Sequence, residues 1–164
     1  MKPGSIAGNA CRLTTKSTFV NAPHIIRLRG PWRRCVSSDT SGEASTIVQM
    51  PGNWADDLGD EFVGTVEYSR FFNRPTGIHQ QTRLSLVFHE IVGDAAVSLN
   101  GMKLGCVNWP DVPHRFDVTG KLETRNELAV RITALSREEI RLRVATCDVP
   151  LAGGLVGEVH LEIG

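Results

Sequence analysis

Ala95-Ala96-Val97-Ser98-Leu99, then Asn100-Gly101, then Leu104-Gly105-Cys106-Val107 is the stretch whose reading decides the fold class. A short strand-forming run stops at Asn-Gly and a second run returns. A tight two-residue hairpin needs positive φ at both turn positions, and Asn and Gly tolerate that at least cost. The same grammar repeats on either side. Upstream, Arg83 to Ile91 alternates, with Leu84, Leu86 and Phe88 facing one way and Ser85, Val87 and His89 the other. Downstream, Leu128, Val130 and Ile132 alternate with Ala129 and Arg131 between Glu127 and Thr133. Val63 to Phe72 is a longer run ended by Pro75, and Thr46 to Gln49 a shorter one ended by Pro51-Gly52. Ile26 and Leu28 alternate with Arg27 and Arg29 until Gly30-Pro31, and Trp32 follows in a strand-like segment where its ring reads as packing. His114 to Val118 and Leu155 to Ile163 extend the series. Ile140, Leu142 and Val144 against Arg141 and Arg143 read as one more strand, with room for a single helical turn over Leu135 to Ile140. No window carries a long amphipathic helix. Many short period-two runs at regular turn spacing predict an all-β sandwich or barrel.

The chain has 164 residues, the size of one domain. Residues 1–24 show no sustained periodicity and read as a loose leader with at most one edge strand. Residues 25–164 read as a single β-sandwich. Lys plus Arg and Asp plus Glu are 18 each, so the formal net charge is zero. A balanced chain has no electrostatic drive toward a phosphate backbone or an anionic membrane, so neither nucleic acid nor membrane is expected as a partner. Arg27, Arg29, Arg33 and Arg34 read as solvated side chains of a strand. No apolar run approaches the ~20 residues that span a bilayer. No signal-like apolar stretch opens the sequence, which points to a cytoplasmic location. Cys11, Cys35, Cys106 and Cys147 stand far apart with no C-x-x-C pair, and are expected as free thiols.

The catalytic and metal motifs fail on spacing. His89-Glu90-Ile91-Val92-Gly93 opens like H-E-x-x-H, but the fifth residue is Gly and the segment sits on a strand. Gly153-Gly154-Leu155-Val156-Gly157 has no phosphate-loop spacing and reads as a turn. Asp56, Asp57, Asp60 and Glu61 cluster in one loop; a solvated loop accounts for them better than a glycosidase pair or a calcium loop. No metal and no cofactor is expected. Trp54 and Trp109 are more informative. Each lies in a polar loop, Trp54 beside Asn53 and Trp109 near Asp111 and His114. A flat ring offers a sugar's C–H face apolar area while leaving its hydroxyls free. Burial under a loop is the competing reading for each ring.

The motifs form a recognisable series: Met50-Pro51-Gly52-Asn53-Trp54, Phe62 through Phe72, Arg83 through Phe88, Ala96 through Gly101, Phe116-Asp117-Val118-Thr119 and Asn126 through Val130. In order and spacing, over roughly residues 25 to 133, it resembles the N-terminal sugar-binding domain of glycoside hydrolase family 2. Gly153 through Leu161 resembles that domain's closing strand. The resemblance implies a galactose-binding-domain-like jelly roll. It also implies a non-catalytic carbohydrate-binding role, because the family's catalytic carboxylates lie on a separate barrel domain. In β-galactosidase-like members the asparagine of a P-x-N-W segment reaches into the neighbouring barrel's active site, and Asn53 matches it. Asp148 is the nearest match to a second family position, in a segment, Thr146 to Ala152, that departs from the pattern. The expected ligand site therefore gathers Asn53, Trp54, Trp109, Asp111 and His114 at one end of the sandwich. The expected partner is a carbohydrate, with a second copy of the chain or a larger glycosidase as further partners. The alternative is an interaction or oligomerisation sandwich that has lost its sugar site.

Overall fold

The computed structural model describes residues 22–37, 44–144 and 153–164. Ten strands and one short helix run in the order β1 (His24–Arg27), β2 (Trp32–Ser37), β3 (Ala44–Val48), β4 (Thr65–Asn73), β5 (Leu84–Phe88), β6 (Asp94–Leu99), β7 (Met102–Val107), β8 (His114–Asp117), β9 (Arg125–Thr133), α1 (Arg137–Arg143) and β10 (Val159–Ile163). They form two antiparallel sheets, one ordered β1-β10-β5-β8 and the other β3-β2-β4-β9-β6-β7. This is an all-β sandwich of the galactose-binding-like type.

Alternation builds the core as the sequence predicts. Leu128, Val130 and Ile132 of β9, Val97 and Leu99 of β6 and Val66 and Tyr68 of β4 point inward from the larger sheet. Leu84, Leu86 and Phe88 of β5 and Val159 and Leu161 of β10 meet them from the smaller one. A one-residue slip of any strand would expose its whole apolar set, so the pattern fixes the register. The β6–β7 hairpin turns on Asn100 and Gly101, at φ 52° and 75°. Its tip is tied to β9. Asn100 Oδ1 accepts from the Glu127 amide at 2.9 Å, and Asn100 Nδ2 donates to Asn126 Oδ1 at 3.0 Å. Asn126 is fully buried, and its side chain also accepts from the Glu123 amide and donates to the Glu123 carbonyl.

One element differs from the sequence expectation. Residues 140 to 144, read as a strand, belong instead to α1 and its C-cap. The local chemistry explains this. Ser136 and Glu139 form a reciprocal capping box, Glu138 and Glu139 sit in the first turn, and Arg141 and Arg143 sit in the last, all favourable to the helix dipole. Only Ile140 is buried and Leu142 is largely exposed, so the apparent alternation buries one residue rather than a stripe. No helix among the described residues is long and apolar enough to cross a membrane. Among the described residues Cys35 and Cys106 are free thiols; Cys11, Cys147 and Asp148 lie outside them.

Candidate functional site

A polar depression of about 310 Å³ opens where the segment after β3 folds over β2 and β4. Its polar lining is Arg34, Gln49, Asn53, Asp56, Asp57 and Tyr68. Backbone bonds hold the segment in place. The Met50 amide donates to the Arg29 carbonyl at 2.7 Å, the Gly52 amide to Leu155 at 3.1 Å and the Trp54 amide to Gly153 at 2.9 Å.

Trp54 is the peg of this loop. It is 0% exposed, its Nε1 donates to the Tyr68 hydroxyl at 2.7 Å, and Phe62 packs edge-on with ring centroids 5.2 Å apart. Gly153 crosses the indole so closely that a Cβ there would lie 2.3 Å from Trp54 Cζ3, which is why that position carries no side chain. With Trp54 driven inward, its neighbour Asn53 is turned out to the rim. The Asn53 Oδ1 accepts from the Ala55 amide at 2.8 Å and fixes the turn.

An inward-facing arginine and two aspartates charge the depression. Arg34 follows Trp32 by two residues on β2, so it shares that residue's core-facing side, and it pairs across the ladder with Tyr68. It is 8% exposed; its Nη1 donates to Asp57 Oδ2 at 2.7 Å, and its Nε has no hydrogen-bond partner among the described residues. A buried guanidinium is costly unless paired, so Asp57 is structurally required. Burial pushes the Tyr68 hydroxyl's pKa up, against hydrogen bonding from Trp54. It therefore stays a neutral hydrogen-bonding group. One guanidinium against Asp56 and Asp57 leaves the depression weakly negative. The reading of Arg34 as solvated is thus corrected. So is the reading of Asp57 as a purely solvated acid, because the 32/34/36 inward alternation of β2 carries Arg34 with it.

The five expected site residues do not gather round this depression. Asn53 lines it; Trp109, Asp111 and His114 do not. Neither indole offers a stacking face. Trp54 plugs the core, and Trp109 is only 7% exposed, packed in a second cluster with Val92 and Ile140. Arg143 of α1 donates to the Trp109 carbonyl at 3.0 Å and to Asp94 at 2.5 Å. The helix that the strand reading concealed is what covers this ring. Asp111 is exposed in a turn closed by its amide to the Asn108 carbonyl at 3.0 Å. His114 is half-buried on β8 opposite Phe88, its ring 5.0 Å from that of Phe116.

Two antiparallel sheets closed over one core, with a Pro-Gly-Asn-Trp loop that seats its tryptophan and presents its asparagine, define a galactose-binding-like sandwich domain. The family described as glycosyl hydrolase 2 galactose-binding domain-like matches residues 47–156, and the chain belongs to it. Solved structures agree in fold. The FMN-binding β-glucuronidase from Facaelibacterium prausnitzii L2-6 superposes with TM-score 0.72 at 24% identity, over 87% of this chain and 23% of that one. A GH2 β-galacturonidase from Eisenbergiella tayi gives TM-score 0.69 at 20% identity, over 86% of this chain and 24% of that one. A β-glucuronidase from Bifidobacterium dentium gives 0.68 at 21%, over 87% and 30%. The chain thus spans less than a third of the length of these neighbours. No curated protein matches the sequence.

Proposed function

We propose that this domain is a non-catalytic carbohydrate-recognition module whose contact surface is the depression beneath Asn53. The observation that carries this reading is the coincidence of two independent facts. Asn53 holds the position that resembles the sugar-directed asparagine of the family, and it stands exposed on the rim of a polar depression lined by Gln49, Asp56 and Asp57. These side chains can donate to and accept from ring hydroxyls. The weakly negative lining fits a neutral hydroxylated ring better than a uronate. Without an aromatic platform, few contacts offset the ligand's lost freedom, so binding to the isolated chain is weak, on the order of millimolar or above.

All three tryptophans are buried, which favours a second reading of the same site. In it the domain supplies one wall only, and Asn53 completes a sugar pocket on a larger glycosidase or a second copy. Ligand-detected NMR with galactose, glucose and glucuronate separates the readings. The first predicts saturation transfer from a neutral hexose to the isolated chain, lost in Asp56→Ala at unchanged melting temperature and in Asn53→Ala, which also gives up the turn bond to Ala55. Transfer that survives both substitutions overturns the assignment of the depression.

A further inference from the structure

The face of the β1-β10-β5-β8 sheet that points away from the core carries a second polar cluster. Glu158, the residue just before β10, and His160 and Glu162 on β10 alternate along that side. His160 stands opposite Val87 on one side and Arg27 on the other. One residue beyond β5, the His89 amide donates to the Glu158 carbonyl at 3.0 Å, so the ladder brings His89 to the same corner. The two imidazole rings lie with centroids 5.0 Å apart. One ligand atom each from His89, Glu158 and His160 falls within 4.8 Å of the others.

His160 gives this corner its direction. Its side chain is 4% exposed, and its Nε2 lies 3.2 Å from Glu162 Oε1. Glu162 is ion-paired to Arg115. An ionised carboxylate only accepts, so the ring proton belongs on Nε2. Nδ1 then presents a lone pair. It is buried without a hydrogen-bond partner among the described residues, and Glu158 Oε1 is 3.6 Å away. A lone pair facing a carboxylate oxygen in a poorly solvated place is unfavourable unless a cation or a second ring proton lies between them.

We propose that His89, Glu158 and His160 form a binding site for a divalent transition-metal ion of the zinc type, with a further position open to solvent. Two imidazoles and one carboxylate suit zinc, whereas calcium and magnesium take mainly oxygen ligands. Glu162 on the far nitrogen of His160 is the outer carboxylate that such histidines commonly carry. Arg27 Nε, 3.0 and 3.1 Å from the two Glu158 oxygens, orients that carboxylate in the same way. Zinc bonds of ~2.0–2.2 Å put tetrahedral ligand atoms roughly 3.3 Å apart. Glu158 Oε1 is already 3.6 Å from His160 Nδ1, so a closure of at most about 1.5 Å, chiefly by exposed His89, completes the set with a small side-chain rotation. The charges of Arg27 and of Arg29, whose guanidinium is 3.9 Å from Glu158, oppose the cation, so micromolar rather than nanomolar affinity is expected. The bound ion would clamp the end of β5 to β10.

The test is zinc chloride titration, by calorimetry and by melting, of the full chain after chelator treatment and alkylation of its thiols. The expected result is one zinc per chain with micromolar Kd. At a hundredfold excess over Kd the melting temperature should rise by about 5–10 °C, and magnesium should give no shift. His89→Ala alters an exposed side chain, so it should keep the metal-free melting temperature and bind at least about 30-fold more weakly. Glu158→Gln should weaken binding similarly. No zinc binding below 1 mM, or wild-type affinity in His89→Ala, overturns the proposal.

Discussion

Replacing Trp54 by alanine asks whether this ring is a core peg or a ligand platform. The indole is fully buried, meets Phe62 edge-on, lies under Gly153 and donates its only polar hydrogen to Tyr68. Truncating a buried aromatic costs about 3–5 kcal/mol, and the gap here is bounded by strand and loop backbone that cannot easily collapse. The Tyr68 hydroxyl also loses its donor, worth on the order of 1 kcal/mol. The upper part of that range is therefore expected. For a domain of this size each kcal/mol shifts the melting temperature by about 2–4 °C, giving a fall of roughly 8–20 °C. Urea unfolding should show the midpoint falling at nearly unchanged slope. Trp54→Phe keeps most of the packing and loses the N–H, so about 1–2 kcal/mol is expected. Loss of less than about 1 kcal/mol in Trp54→Ala would refute the packing argument, because no buried ring of this size is removed so cheaply.

Three further outcomes follow from separate features. Asn126→Ala removes the side chain that joins the Glu123 turn to the Asn100 hairpin, and should cost about 2–3 kcal/mol in chemical denaturation. Ser136→Ala breaks the capping box of α1 and should cost about 1 kcal/mol, measured by thermal melting. The Asp94 carboxyl is held below its ordinary pKa first by its hydrogen bond from Arg143. Its stabilising effect is thus complete above the unfolded value and disappears as pH falls through the lower folded value. Asp94→Asn should melt below wild type at pH 7, and the gap should close on acidification below about pH 4.

The fold was legible because its strands alternate cleanly and its hairpin carries Asn100-Gly101, both of which are local signals. The family resemblance rested on the same residues. The candidate site was only partly legible. Asn53 could be placed from its neighbours Pro51 and Trp54, but the direction of each indole depends on partners remote in sequence. Gly153 seats Trp54 from nearly a hundred residues away, and Ile140 of α1 packs with Trp109. The Ser136–Glu139 capping box was the local clue to that helix, and apolar alternation over Ile140, Leu142 and Val144 outweighed it. Arg34 was hidden among neighbouring arginines, although the inward phase set by Trp32 places it inside. The His89–Glu158–His160 corner joins residues about seventy positions apart through the β5–β10 ladder, which no spacing motif can reveal.

Sugar recognition at the Asn53 depression is tested most directly by amide chemical-shift mapping of the isotopically labelled chain titrated with galactose and glucose into the tens of millimolar. The expected result is saturable shifts confined to residues 49–57 and the adjoining strands around Arg34 and Tyr68, with the amides of Trp109, Asp111 and His114 unmoved. Shifts centred instead on the Trp109–His114 loop, or spectra unchanged by any neutral hexose at these concentrations, would contradict it.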